Sequence, residues 1–362
     1  MVSDKLDPFQ FAYRARRGVE DASLTLLDTV TKNLDSAHPH TRILFMDFSS
    51  AFNTVSINKL LHHLSDLQVH PTLTLWIKHF LLDRPQQVSF NGAKSTKLIL
   101  NSGLPQGCVL SPILFSVYTN SIQCNSEGMA LFKYADDIAL VAHMSHTDAL
   151  ARYQQAVDNL SETFVELSLE LNIAKTKELC CGGRDKASPL FQPLNIQGQL
   201  VEQVQVFKYL GTEIDTSLSF SQHTNTIFKK AQQRLHLLRK LRTFQVSKDV
   251  LTLVYRSLIE SVLTFNISSW YNQLTIKHKT RLSRIVNHAA KITGSPHTPL
   301  SELYSRSVIR KANLITADHS HPLHHSFQLL PSGRRFNVPL ARKNIYKKSF
   351  IPSAITILNN TK

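Results

Sequence analysis

Two adjacent carboxylates, Asp136 and Asp137, sit inside FKYADDIALVA at residues 132–142, a run otherwise composed for a buried strand. Burying even one ionised carboxylate is costly unless it is paired or metal-bound. In a plain strand neighbouring side chains point to opposite faces, so one of the two would enter the core. A tight hairpin avoids that outcome, because Asp favours turns and FKY and IALVA can serve as the two strands. An Asp-Asp turn by itself needs no further chemistry. A third acid changes what is possible: Asp47 lies near the end of RILFMDF, residues 42–48, another short run of β-forming and aromatic residues. Acids at the ends of separate strands can meet along one sheet edge and offer hard oxygen ligands to Mg²⁺. Two such ions about 3.5–4 Å apart stabilise the attacking and leaving oxygens of a phosphoryl displacement.

The elements that must position these acids follow from pattern. Leu60, Leu64 and Leu67 predict a helix over 57–67, and DRPQQVSFNGAKS at 83–95 predicts a hairpin turning at Asn91-Gly92. GLPQGCVLSPILFSVY at 103–118 reads as a loop entering a helix, with Ser111 as its cap and Pro112 at its first position. Leu150, Tyr153, Val157, Leu160, Phe164, Leu167 and Leu171 predict one apolar stripe of a long helix over 148–171. FKYLGTEID at 207–215 reads as a strand broken by Gly211. Over 228–242, Phe228, Ala231, Leu235, Leu238 and Leu241 mark an apolar helix face, while Lys229, Lys230, Arg234, Arg239, Lys240 and Arg242 carry charge. No acid falls between Asp215 and Asp249, so the charged face is either solvated or directed at phosphates. Apolar helical patterns continue over 250–293.

Composition bounds the partner. The 362 residues, 42% hydrophobic and 19% charged, suffice for two or three packed substructures. A formal charge of +15 favours polyanions, and residues 303–362 hold ten Lys and Arg against one acid, Asp318. Cys108, Cys124, Cys180 and Cys181 form no CxxC pair and no zinc-ligand spacing, which suits a reducing compartment. MVSDKLDPFQ lacks a basic region followed by an apolar core, and no uncharged apolar run approaches the ~18–20 residues of a membrane span. The expected location is nuclear or cytoplasmic, without a membrane.

In order along the chain, RILFMDFSSAFNTV, GLPQGCVLSPILF, YADDIALV, LNIAKTKEL and FKYLGTEI resemble the successive palm motifs of reverse transcriptases, specifically those of LINE-type non-LTR retrotransposons. Five ordered motifs are far more specific than any one of them, and the resemblance runs from about residue 7 to the end. It implies an α/β (α+β) right-hand palm, with a small antiparallel or mixed sheet backed by helices, then a helical thumb and a basic carboxy-terminal region. The implied division is a partial fingers segment over 1–41, palm with remaining fingers elements over 42–216, thumb over 217–300 and basic segment over 301–362. The implied activity is RNA-directed DNA polymerisation with two Mg²⁺ ions, or Mn²⁺ as substitute, acting on an RNA template, a DNA primer and dNTP.

The same resemblance implies residue roles. Asp47, Asp136 and Asp137 are the metal-binding acids, with the carbonyl of Phe48 as a further oxygen. Phe52 matches the bulky residue that excludes a ribose 2′-hydroxyl, although alone it reads as a core aromatic. Gln106 and Gly107 line the nucleotide pocket, and Gly permits close backbone approach. Lys175 corresponds to the family's catalytic lysine near the pyrophosphate leaving group, with Lys177 close enough to compete. Phe207, Tyr209, Leu210 and Gly211 resemble the primer-supporting hairpin, and Arg14, in FAYRARRGVEDA, an upstream segment near template and incoming nucleotide. Lys229, Lys230, Arg234 and Arg239, with Arg334, Arg335, Arg342, Lys343, Lys347 and Lys348, are expected to hold nucleic-acid phosphates. His319, His321, His324 and His325 lack the nearby cysteine of a zinc finger, which disfavours a metal there.

The family's polymerase begins well before its Asp-Pro-Phe-Gln-like segment, and many members add an amino-terminal endonuclease, so the chain is expected to be truncated at its start. Two rival readings follow. One is a noncatalytic remnant that only binds nucleic acid, since catalysis by positioning fails when the substrate is poorly held. The other, an RNA-dependent RNA polymerase on a related palm, is weakened by Phe52.

Overall fold

A continuous apolar run can be buried on both faces only if other layers cover its sheet, and the runs around Asp47 and Asp137 meet that condition. The computed structural model describes residues 5–145, 148–182 and 192–361. In chain order the elements begin with α1 (Val19–Asp35), β1 (Thr41–Met46), α2 (Ile57–Asp66) and α3 (Pro71–Leu81). Four short strands follow, β2 (Arg84–Gln86), β3 (Ser89–Phe90), β4 (Ala93–Lys94) and β5 (Leu98–Leu100). Next come α4 (Leu110–Tyr118), β6 (Met129–Tyr134), β7 (Asp137–His143), α5 (Ala149–Glu166) and β8 (Lys177–Cys181). The strands β9 (Asn195–Ile196), β10 (Gln199–Leu200), β11 (Glu202–Gln203), β12 (Val206–Tyr209) and β13 (Thr212–Asp215) lead into helices. These are α6 (Ser221–Thr243), α7 (Lys248–Val254), a π-helical turn (Tyr255–Glu260), α8 (Ser261–Thr264), α9 (Ile267–Trp270), α10 (Ile276–Thr293), α11 (Leu300–Thr316), α12 (Asn344–Lys347) and α13 (Phe350–Thr361).

The chain divides into two compact units. The first comprises Met1–Gly18, Arg42–Glu178 and Asp185–Gln203. It holds a five-stranded sheet in the order β11-β8-β1-β7-β6, mixed because β6 and β7 run antiparallel while β11 and β8 run parallel. Every residue of β1 is buried, as are Ile138 to Ala142 of β7. Leu44, Met46 and Leu140 of the sheet share a core with Leu60 and Leu64 of α2, Phe115 of α4, and Tyr153, Val157, Leu160 and Phe164 of α5. Inside it lies a charged pair, Arg42 and Glu178, joined by two bonds of 2.8 and 2.5 Å. Tyr153 (2.8 Å) and Gln203 (3.0 Å) also donate to the Glu178 carboxylate, so the pair's remaining acceptors are satisfied.

Local readings are adjusted by this packing. The expected strand over 42–48 ends at Met46, the helix over 57–67 ends at Asp66, and Asn91-Gly92 does turn a hairpin between β3 and β4. The helix expected over 148–171 stops at Glu166: Ser168 takes a positive φ of 55° and Leu171 pairs antiparallel with Phe48. Leu171 therefore serves the sheet edge, although its spacing continues the helical stripe. Helix α4 starts at Leu110, so Pro112 is not its first residue; the Ser111 hydroxyl makes no cap and instead donates to the carbonyl of Pro105 at 2.5 Å. The strand expected over 207–215 is the antiparallel hairpin β12–β13.

The second unit comprises Val19–Thr41, Leu179–Arg184 and Val204–Lys362. Here α6 packs along α10, α1 against α9, α12 and α13, and α11 against α9 and α13. The buried face of α6 is Ile227, Ala231, Leu235 and Leu238, with Phe228 and Leu241 only half-buried. Asp21 of α1 bonds Lys311 of α11 (3.0 Å) and His321 (3.1 Å), all three buried. Burial opposes the Asp21 charge, but the bonds and charges of His321 and Lys311 prevail and hold its carboxyl below the ordinary value. Among the described residues one stretch, Lys248–Gln273, is apolar and long enough to cross a membrane by length and composition; the chain there is cut into α7, the π turn, α8 and α9 and carries Arg256 and Glu260.

Candidate functional site

The hairpin β6–β7 pairs Tyr134 with Asp137, which leaves Ala135 and Asp136 as a two-residue turn, Ala135 at a φ of 57°. Asp136 and Asp137 are thus both exposed at the tip, whereas the next residue, Ile138, is buried. Asp47 immediately follows β1, the strand beside β7 in the sheet. Partial desolvation, then the charges of Asp136 and Asp47, push the Asp137 carboxyl up to about 6. Asp137 thus lies close enough to both Asp136 and Asp47 for their charges to act on it.

Asp47 Oδ2 is buried and without a hydrogen-bond partner among the described residues, although Lys175 Nζ approaches it at 3.6 Å. The competing lysine is engaged elsewhere: Lys177 Nζ pairs with Glu202 at 2.7 Å and donates to the carbonyl of Ala174. The Phe48 ring is buried edge-on against Phe164, centroids 4.9 Å apart, so its backbone oxygen is the group left to offer. An all-oxygen donor set with an unsatisfied carboxylate oxygen suits a hard divalent cation. Among the described residues no three His, Cys, Asp or Glu side chains close into a ready coordination cluster.

The amino-terminal segment braces this hairpin. Gln10 bridges in parallel to Lys133 of β6, whose amide donates to the Phe9 carbonyl and whose carbonyl accepts from the Phe11 amide, both at 2.9 Å. Lys133 Nζ is buried against Asp7 (2.8 Å) and the carbonyls of Thr119 and Ile122. Nothing in the spacing of Asp7, Gln10 and Lys133 announces this brace. Arg14 is half-buried and donates to the Asp7 carbonyl at 2.8 Å. Tyr13 is exposed; desolvation, then the nearby Asp136 and Tyr134, raise its phenol above the ordinary value.

A second cluster joins residues 52–55 to the loop 103–107. The Leu104 amide donates to the Phe52 carbonyl (2.8 Å) and the Gly103 amide to that of Val55 (2.9 Å). Gly103 has a φ of +71°, and a Cβ there would lie 2.7 Å from the Asn53 carbonyl oxygen. Phe52 is half-buried and stacks on Phe115 at 4.3 Å, so it is partly the core aromatic that its type suggests. Gln106 is exposed, with Nε2 3.5 Å from Asn53 Oδ1, while Gly107 sits at a φ of +81° beside open space. A groove of about 940 Å³ runs along Asn53, Phe80, Arg84 and Gln106.

The remaining expected residues belong to the second unit. Leu210 and Gly211, both at positive φ (44° and 88°), form the two-residue turn of β12–β13, and a Cβ on Gly211 would meet the Phe265 ring at 2.8 Å. Phe207 and Tyr209 lie on β12. Lys229, Lys230 and Arg239 are exposed on α6, but Arg234 is half-buried and donates to the carbonyl of Leu258 in the π turn. Arg334, Arg335, Lys347 and Lys348 are exposed. Lys343 and Arg342 are partly structural, since their amides bind the Asp35 carboxylate at 2.6 and 3.0 Å. His321 is committed to Asp21, and His319 lies against His324 with ring centroids 4.5 Å apart.

Residues 1–214 match a family described as reverse transcriptase (RNA-dependent DNA polymerase), and residues 220–261 match one described as alkylated DNA repair protein alkB homolog 8, N-terminal. The chain is 26% identical over 87% of its length to the probable RNA-directed DNA polymerase from transposon BS of Drosophila melanogaster, covering 37% of that protein. It is also 26% identical over 82% of its length to the RNA-directed DNA polymerase from mobile element jockey of Drosophila funebris, covering 33% of it. The chain thus spans about a third of the length of these relatives. Among solved structures, apo telomerase from Candida tropicalis is similar over 89% of this chain and 58% of its own, with 11% identity and a TM-score of 0.43.

Proposed function

Because this chain belongs to the reverse transcriptase family, we propose that it performs the RNA-directed DNA polymerisation of a non-LTR retrotransposon. A primer 3′-hydroxyl attacks the α-phosphate of a dNTP, the new ester bond forms as the bond to the β-phosphate breaks, and pyrophosphate leaves while the hydroxyl proton passes to solvent. The observation that carries this reading is the juxtaposition of Asp47, at the end of β1, with Asp136 and Asp137, at the turn into the neighbouring β7, and an Asp47 oxygen that accepts no hydrogen bond among the described residues. Those three carboxylates and the Phe48 carbonyl would hold two Mg²⁺ ions, with Mn²⁺ as substitute. When bound, the ions supply charge neutralisation for the attacking and leaving oxygens.

The chain's own residues do the rest. Phe52, fixed by its stack on Phe115, excludes a ribose 2′-hydroxyl. Gln106 and the open backbone at Gly107 receive the nucleotide, and Arg14 faces its template-side end. Lys175 brings positive charge to the departing pyrophosphate. The β12–β13 hairpin supports the primer end, while the exposed lysines and arginines of α6 and of the carboxy-terminal segment hold template and primer phosphates. In this reading 42–216 is the palm and 217–300 the thumb.

Primer extension on an RNA template by the purified chain tests the proposal. Extension is expected for the wild type and none for Asp136→Ala; product unaffected by that change would defeat the site assignment. Salt-sensitive RNA binding with no extension at any Mg²⁺ or Mn²⁺ concentration would instead identify a noncatalytic nucleic-acid-binding remnant.

A further inference from the structure

The turn that carries Lys175 is fastened to the strand end that carries Asp47 through two residues with no role so far. Thr176 is fully buried, and its hydroxyl bridges the two segments: Oγ1 donates to the carbonyl of Asn172 at 2.9 Å and accepts from the amide of Asp47 at 3.4 Å. Asn172 completes the clasp from the other side, its amide donating to the Asp47 carbonyl at 2.8 Å. Its side-chain Oδ1 accepts from the Lys175 amide at 3.1 Å. Both backbone polar groups of Asp47 are therefore held by residues of the 172–176 turn, and the backbone of Lys175 is held by the same asparagine.

That fastening matters because of what the two charged side chains do. Lys175 Nζ and Asp47 Oδ2 are 3.6 Å apart, with the side chains 68% and 41% exposed. A partly exposed ion pair of this kind gains little from its own attraction and loses side-chain entropy when fixed. Its geometry must come from the backbone on which the two residues stand. We propose that Thr176 and Asn172 are positioning residues, which hold the ammonium of Lys175 in register with the carboxylate of Asp47 and so set the leaving-group end of the site. The inference rests on the proposed reading of Lys175 and Asp47 as parts of a polymerase site.

Thr176→Val keeps the volume of the side chain and removes both hydroxyl bonds, whereas Thr176→Ser keeps the hydroxyl. For a small displacement of a reacting group, losses up to about 100-fold are expected. In single-turnover primer extension, Thr176→Val and Asn172→Ala should lower the maximal rate by about 10- to 100-fold while leaving the dNTP concentration for half-maximal rate within about twofold. Thr176→Ser should stay within about threefold of wild type. Hydrogen exchange read without substrate should rise in segments 46–49 and 172–177 of Thr176→Val and not of Thr176→Ser. Lys175→Met separates the two levels of the argument. A slow Lys175→Met beside a Thr176→Val of wild-type rate and unchanged exchange overturns the positioning role alone. A Lys175→Met of wild-type rate overturns the premise, and the inference falls with it.

Discussion

Gly103 shows how a single missing methyl group shapes the site. Its amide is bonded to Val55, its φ is +71°, and an added Cβ would sit 2.7 Å from the backbone oxygen of Asn53. Gly103→Ala must therefore pry the 103–107 loop from residues 52–55, which carry Phe52. The expected cost is about 1–3 kcal/mol in urea-induced unfolding, together with a raised KM for dNTP. Gly107→Ala, at a comparable φ but facing open space, should cost about 1–2 kcal/mol from the backbone alone. A Gly103→Ala chain as stable as wild type, with unchanged KM, would contradict this account. The motif GLPQG displays both glycines, and sequence reasoning singles out Gly107. The demand on Gly103 is made by a backbone some fifty positions away along the chain, a proximity that no local pattern encodes.

At the scale of elements, two neighbouring strands of the sheet are joined by a buried ion pair whose residues sit in two separate motifs. Arg42 of β1 and Glu178 of β8 are both fully buried, and Tyr153 and Gln203 complete the carboxylate's bonds. Glu178→Leu leaves a buried guanidinium uncompensated and should cost about 3–5 kcal/mol, whereas the pair Arg42→Met and Glu178→Leu together should recover most of that loss. Chemical denaturation of the three variants checks the expectation; a double variant no more stable than Glu178→Leu would refute it. The apolar runs of β1 and β7 and the hairpin near Asp136-Asp137 were legible, because burial patterns are local properties, although the turn itself is Ala135-Asp136 and Asp137 opens β7. The end of α5 was not. Leu171 continues the helical spacing, but the helix has already ended at Glu166, with Ser168 at a positive φ, and Leu171 pairs with Phe48 instead. The first turn of α4 was misread for a related reason, since Ser111 spends its hydroxyl on Pro105 in the preceding loop instead of on a cap.

At the scale of the molecule, a formal charge of +15 on a chain that brings Asp47, Asp136 and Asp137 to neighbouring strand ends suits a polyanionic substrate whose reacting phosphates need local cations. The order of the motifs carried the family assignment, and the acids, Lys175 and Phe52 could be named before any coordinates. What the sequence left open is how they are held: the brace of Asp7 and Lys133, the clasp of Asn172 and Thr176, and the pairing of Lys177 with Glu202 while Lys175 lies beside Asp47. All three depend on contacts between distant segments. The central claim is that Asp47, Asp136 and Asp137 jointly hold divalent cations, and Mn²⁺ binding to the whole chain, followed by electron paramagnetic resonance with primer, RNA template and dNTP present, tests it most directly. Two ions per chain are predicted for the wild type, with site occupancy reduced at least about tenfold in Asp47→Ala and Asp137→Ala. Equal binding by all three proteins would contradict the account.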